Sequence, residues 1–293
     1  MSGIGAEPPS FGARLAAEFA GDRFLCAGVD PSRETLGLWG LPDDADGVES
    51  LGREVVAAAT GVAACVKPQV AFFERFGSAG YRALERVLAD ARQAGLLVIA
   101  DGKRGDIGTS FDAYAEAWLS PGSPLEADAM TVAAYQGFGS LAGAFERLRG
   151  SGKGLFLLAA TSNPEAGDVQ RAVRDDGRSV AAAMVADARS FNAAEFAGEP
   201  VGSLGVVLGA TLRLADYGIA SDDGTSDPAL PVLAPGFGHQ GARIEDAGSI
   251  FGGLGRALLA NESRSILSGG REGLSTRISD RAEAVAAALH GVD

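Results

Sequence analysis

Leu96-Leu97-Val98-Ile99-Ala100-Asp101-Gly102-Lys103-Arg104-Gly105-Asp106-Ile107-Gly108 begins apolar and ends in alternating charge. The apolar half reads as a strand buried on both faces, the pattern of a parallel sheet. The charged half is that strand's exit. In an extended chain Asp101 and Lys103 project from one side, about 6–7 Å apart between their α-carbons. Asp106 lies past a glycine, where the chain can turn. Carboxylate, ammonium and carboxylate at the mouth of a buried strand are costly to desolvate unless they pair. On charge spacing alone, an ordinary strand-end ion pair is the plainer reading.

The same form, an apolar run with a polar exit, repeats along the chain. Residues 24–30 end on Asp30 before Pro31, and residues 61–67 end on Lys67 before Pro68. Residues 127–132 carry Asp128 as their only charge. Residues 154–160 run into Thr161-Ser162-Asn163, and 204–208 into Gly209-Ala210-Thr211. Residues 231–234 run into Pro235-Gly236, and 257–260 into Asn261-Glu262-Ser263-Arg264. Helical spacing lies between most of them. Ser10 is placed to cap a helix carrying Phe11, Leu15, Ala16 and Phe19. Residues 79–94 keep Tyr81, Leu84, Val87, Leu88 and Ala91 on one face, and Gly95 is placed to end them. Further helices are expected over residues 49–60, 110–119, 137–149, 180–192 and 282–289. A polar loop is expected before about Asp46, and an acidic, mobile one over residues 220–227.

Alternating β and α units imply an α/β fold with a parallel sheet and right-handed crossovers. Eight such units in 293 residues favour a closed TIM (β/α)8 barrel over an open sheet. A single domain is expected over residues 10–293, behind a loose tail at residues 1–9. The polar residues cluster at the carboxyl ends of the strands, the face that holds the active site in such barrels.

Composition narrows the function. Apolar content of 46% supplies a sizeable core, and a net charge of −13 without a basic stripe argues against nucleic-acid binding. A local pocket on an acidic protein can still be positive and take an anionic substrate. Cys26 and Cys65 sit inside apolar runs and read as free buried thiols of a cytoplasmic protein. Two histidines, His239 and His290, and no CxxC pair make a zinc site or a Ser-His-Asp triad a poor fit. No signal peptide is expected from residues 1–9, and no apolar run suffices to span a membrane.

Gly236-Phe237-Gly238-His239-Gln240-Gly241 fits GxGxxG after a strand. It falls in the seventh unit, and no strand with an acidic end follows at the distance a dinucleotide needs. A backbone cradle for phosphate fits better, since the loops after strands seven and eight often hold phosphate in barrels. Arg264, at the end of strand eight, is placed to add a bidentate charged partner. His239 reads as a loop residue without a catalytic role. Gly150-Ser151-Gly152-Lys153-Gly154 precedes a strand and reads as a turn. Trp39 and Trp118 read as packing.

Asp101-Gly102-Lys103-Arg104-Gly105-Asp106-Ile107-Gly108 resembles the DxKxxDIG signature of the orotidine 5′-phosphate decarboxylases. Val66-Lys67-Pro68-Gln69-Val70-Ala71-Phe72-Phe73-Glu74 resembles the type 2, bacterial branch. So do Thr161-Ser162-Asn163-Pro164, Gly209-Ala210-Thr211 and the glycine loop at 235–241. The resemblance implies a TIM barrel and a homodimer with a shared active site, turning orotidine monophosphate into UMP and CO2 without metal or cofactor. It further implies that Lys103 protonates C6, flanked by Asp101 and by Asp106 from the partner subunit. Lys67 and Asp30 would bind ribose hydroxyls, with Lys67 completing an alternating charge array, and Ser110 would touch ribose across the dimer. Ser162 would meet the pyrimidine. Gln240 and Arg264 would hold the phosphate, and Gly236, Gly238 and Ser263 would also bind substrate.

Two rival readings remain at this level. Sister decarboxylases and aldolases acting on sugar phosphates also carry DxKxxD, but they need magnesium and put an acidic residue where this chain has Lys67. A non-catalytic nucleotide-binding barrel would bind UMP without turnover. Val132-Ala133-Ala134-Tyr135 stands where the type 2 branch usually reads Val-Asn-Pro-Tyr, so an altered loop is expected after strand four.

Overall fold

The computed structural model describes residues 8–221 and 227–290. The tail expectation at residues 1–9 and the mobile-loop expectation at 220–227 fall largely outside these. Among the described residues, eight parallel strands close into a barrel in sequence order. They are β1 (Leu25–Val29), β2 (Cys65–Pro68), β3 (Leu97–Arg104) and β4 (Ala129–Val132). Then come β5 (Gly154–Ala160), β6 (Leu204–Leu208), β7 (Val232–Pro235) and β8 (Leu258–Glu262). Pairing of Leu25 with Ala260, Cys26 with Asn261 and Ala27 with Glu262 closes the ring. The fold is the expected TIM barrel.

Strand alternation divides the core into two layers. Leu25, Ala27, Val66, Val98, Ala100, Met130 and Val132 face outward onto the helices. Cys26, Cys65, Leu97, Ile99, Ala129, Phe156, Val207, Leu233 and Leu259 fill the inside. The helix Phe11–Ala20, capped by the Ser10 hydroxyl, plugs the amino end of the barrel. Its Phe11 packs edge-on against Phe156 with ring centres 5.9 Å apart. A side chain at Gly12 would strike the Val201 carbonyl at 2.0 Å, so glycine is what lets this helix seat. Asp128 belongs to the same end: it accepts from Arg14 at 2.6 Å and from the Val98 amide at 2.8 Å. Cys26 and Cys65 are register partners, both buried and free. Burial, with Cys26 beside it, pushes the Cys65 thiol well above its ordinary range, so it stays a protonated packing group.

Several boundaries move. The helix expected from 49 runs Ala45–Ala59, because Asp44 accepts from the Gly47 amide and caps it earlier. The polar loop before it holds a short helix, Arg33–Leu38, capped by Ser32. Residues 61–64 precede β2, with Gly61 in the left-handed region. The segment 137–149 is a 3-10 turn, Phe138–Leu141, followed by a helix, Ala142–Gly150. Trp39 and Trp118 are buried, as packing residues should be. Among the described residues, no helix is long and apolar enough to cross a membrane.

Candidate active site

The inward face of each strand continues past the apolar layer into polar residues. Two positions beyond Cys65, Ile99, Ala129 and Leu259 stand Lys67, Asp101, Thr131 and Asn261. Asp30, four beyond Cys26, extends the same face of β1. These residues line a cavity of about 310 Å³ at the carboxyl end of the barrel, with Leu158, Val207 and Leu233 as its apolar floor.

Asp101 is the hub. Its Oδ2 accepts from Lys67 Nζ at 2.7 Å and its Oδ1 from Lys103 Nζ at 2.7 Å. The Lys67 and Asp101 side chains are 5% and 10% exposed, whereas Lys103 is 44% exposed and faces the cavity. Burial alone would raise the Asp101 carboxyl, but the ammonium groups of Lys67 and Lys103 outweigh it and hold it well below the usual carboxylate range. Burial likewise pushes the Lys67 ammonium down, and Asp101 and then Asp30 outweigh it, so Lys67 is held charged above its ordinary range. Lys103 Nζ also donates to Gln69 Oε1 at 3.2 Å.

The exit of β3 is not the simple extended segment expected from the sequence. Lys103 has φ +46°, and among the described residues only it and Asp22 carry a side chain at positive φ. That conformation costs about 1–2 kcal/mol for an L-residue. The β3–β4 register breaks between Ala100 and Arg104, a bulge that re-aims the side chains beyond it. Lys103 is thereby turned to Asp101, while Arg104 turns outward to Glu74 at 3.0 Å and over the Tyr114 ring.

The other end of the cavity suits an anion. Gly236, His239, Gln240, Ser263 and Arg264 line it. Gly236 has φ +124°, and a side chain there would press on the Ala210 amide at 3.2 Å. Arg264 is exposed and makes no ion pair among the described residues. Beneath it, the fully buried Glu262 carboxylate accepts from Arg281 at 2.5 and 2.9 Å and from the Ser265 hydroxyl. The carboxylate is neutralised by that pairing, so it leaves the guanidinium of Arg264 available to a ligand. Gly28 makes room for this corner: a β-carbon there would lie 1.7 Å from Ser263 Oγ.

Most of the expected site residues thus meet in one cavity: Lys67, Asp101, Lys103, Asp30, Ser162, Gly236, Gln240, Ser263 and Arg264. Gly238 does not line it; it sits behind the loop against Ser265 and Glu262. Asp106 and Ser110 are outside as well. Asp106 Oδ1 accepts from the Ile107 amide at 2.8 Å, and Ser110 is exposed on the helix Gly108–Leu119. Within one chain, then, the alternating array has three members and not four. Residues 105–107 form an irregular connection from β3 to the helix Gly108–Leu119, and Asp106 on that connection does not reach its own cavity. His239, expected as a plain loop residue, does border the cavity.

Residues 24–270 match the family model described as orotidine 5′-phosphate decarboxylase / HUMPS family. The chain belongs to that family. The orotidine 5′-phosphate decarboxylase of Streptomyces coelicolor is 49% identical over 258 residues, covering 88% of this chain and 89% of that one. The protein of the same description from Nocardioides sp. is 47% identical over 260 residues, 88% of this chain and 91% of that one. A crystal structure of a candidate orotidine 5′-phosphate decarboxylase from Streptomyces avermitilis aligns with a TM-score of 0.90 at 46% identity, covering 99% and 100% of the two chains. The solved structure of Leishmania donovani OMP decarboxylase gives 0.75 at 27% identity, covering 96% and 100%.

In this decarboxylase-family barrel, Thr131 and Gln69 are contacts that sequence reading missed. Thr131 Oγ1 donates to Asp101 Oδ1 at 2.8 Å and accepts from the Lys103 amide at 3.0 Å. Alternation on β4 carried the signal, since Thr131 is two beyond the inward Ala129. The Ala133-Ala134 departure lies outside the cavity. Ala133 donates to the Arg104 carbonyl at 2.8 Å, and the following Tyr135 is 86% exposed.

The buried pair also sets a pH dependence. The folded pKa of Asp101 lies below its ordinary 3.8, so its contribution is complete above that value and lost as pH falls below it. The folded pKa of Lys67 lies above its ordinary 10.5, so its contribution is complete below that value and lost as pH rises. The stability difference between the parent and a Lys67→Met/Asp101→Asn double variant is expected to be flat between these limits and to shrink on both sides. Denaturant titrations across pH check this; a difference unchanged at the acid end would exclude the ionised pair.

Proposed function

We propose that this protein is a carboxy-lyase that converts orotidine 5′-monophosphate to UMP and CO2. The observation that carries the reading is Lys103, whose ammonium is held 2.7 Å from a buried carboxylate and faces the cavity. The phosphate of the substrate would sit on Arg264, Gln240 and the backbone at Gly236. The ribose would meet Asp30, whose Oδ1 is buried without a hydrogen-bond partner, and Lys67. Ser162 would face the pyrimidine.

In the reaction the bond from C6 to the carboxylate breaks, CO2 leaves, and the bond's electron pair stays on C6. That pair has no conjugated sink in the ring. The Lys103 ammonium stabilises it and transfers a proton to C6, and water then reprotonates the amine. Such a fixed cation acts on charge that develops only as the bond breaks. Holding the phosphate end contributes by organising the site around the reacting carbon.

We read the reaction as metal-free. Asp101, the carboxylate a metal would seek, already takes an ammonium on each oxygen. Lys67 adds positive charge where the magnesium-dependent relatives place an acid. We also read the working unit as a homodimer with a shared site. Asp106 and Ser110 lie on a segment that leaves its own cavity, among the exposed Ile107, Tyr114 and Tyr135. A cytoplasmic setting suits two unpaired buried thiols.

The test is the ultraviolet change of orotidine monophosphate on adding protein in EDTA. Conversion to UMP is expected at full rate. Activity that appears only when magnesium is restored would favour the sugar-phosphate branch. Tight UMP binding without conversion would favour a non-catalytic barrel.

A further inference from the structure

The register break in β3 leaves three residues, Asp101 to Lys103, opposite one residue of β4. Ala100 still pairs with Met130, and pairing resumes only at Arg104 with Val132. The Lys103 amide is therefore without a ladder partner. It donates instead to the Thr131 hydroxyl at 3.0 Å. A hydroxyl has one proton, and with its oxygen accepting from that amide, the proton is directed to Asp101 Oδ1 at 2.8 Å. Thr131 is 2% exposed, so neither bond is replaced by bulk water when the hydroxyl is removed.

We propose that Thr131 is a positioning residue: its one hydroxyl fixes both the Asp101 carboxylate and the left-handed turn that aims Lys103. This rests on the decarboxylase reading of Lys103. The two bonds act on different parts of the machinery. One holds the carboxylate oxygen that Lys103 Nζ also contacts, at 2.7 Å. The other holds the main chain from which Lys103 departs, at φ +46°. Losing the hydroxyl frees the strained turn to relax toward an ordinary conformation, which swings the ammonium off the reacting carbon. Binding at the phosphate and ribose ends does not run through Thr131.

Thr131→Val keeps the shape and removes the hydroxyl. It is expected to lower kcat by about 10–100-fold, as for a positioned catalytic group displaced by an ångström, with KM and UMP affinity within about threefold. Thr131→Ser keeps the oxygen and is expected to retain kcat within about threefold. Hydrogen exchange of the wild-type protein gives a check that needs no variant: the Lys103 amide is expected to be protected although its side chain is exposed. A Thr131→Val enzyme with parental kcat, a Thr131→Ser enzyme as slow as Thr131→Val, or an unprotected Lys103 amide would each overturn the proposal. Wild-type turnover is measured first. Its absence would sink the decarboxylase reading, whereas wild-type turnover with a fully active Thr131→Val would sink only the role of Thr131.

Discussion

Lys103→Ala is expected to lower turnover by on the order of 10⁵-fold, because it removes both a proton donor and a fixed charge at the reacting carbon. UMP affinity is expected to stay within about tenfold, since phosphate and ribose are held by other residues and the effect falls on the reaction itself. The fold should survive. Asp101 keeps Lys67 at 2.7 Å and Thr131 at 2.8 Å, so no buried carboxylate is orphaned. Removing Lys67 instead takes the buried ammonium away from Asp101 Oδ2, and losing one partner of a buried pair typically costs about 3–5 kcal/mol. Lys103 is thus the member of the cluster whose loss separates chemistry from folding. Steady-state decarboxylation with a UMP titration of the same preparation measures both halves. Near-parental activity in Lys103→Ala would refute the role given to this ammonium.

What the sequence revealed follows from what periodicity encodes. Runs such as 96–100 and 154–160 announce strands because both faces are buried, and a polar exit marks the end that meets solvent. Once Leu97 and Ile99 are placed inside, Asp101 must follow them, and Lys67 follows Cys65 for the same reason. The charge cluster was therefore legible before any coordinates. The bulge was only half marked: Gly102 lies inside it, but the left-handed residue is Lys103, whose amide goes to Thr131 on another strand. Gln69 was hidden in a similar way, since it follows a proline and lies next to a short helix, Val70–Glu74, that pattern reading skipped. The Glu262–Arg281 pair joins residues 19 positions apart across two elements, and no local signal links them. The direction of Asp106 depends on the irregular connection at residues 105–107, which periodicity does not encode.

That direction leads to the second large effect. Asp106→Ala alone is expected to lose activity by on the order of 10²–10³-fold, as for removal of one charged group at a reacting centre. Mixing Asp106→Ala with Lys103→Ala protein is expected to restore activity, although each variant alone is nearly inactive. A site needs Lys103 from one copy and Asp106 from the other if the carboxylate reaches across a two-fold interface. In a mixed dimer one of the two sites then has both groups and the other has neither. With random exchange half of the dimers are mixed, so about one site in four is intact. The geometry on which this rests is local. Asp106 takes the Ile107 amide at 2.8 Å and lies outside the cavity that holds Lys103, and the apolar side chains next to it are exposed. Recovery should track the fraction of mixed dimers, measured with subunits of distinguishable mass, and should vanish when exchange is blocked. Mixed dimers that form fully and yet stay inactive would rule out an acid supplied across the interface.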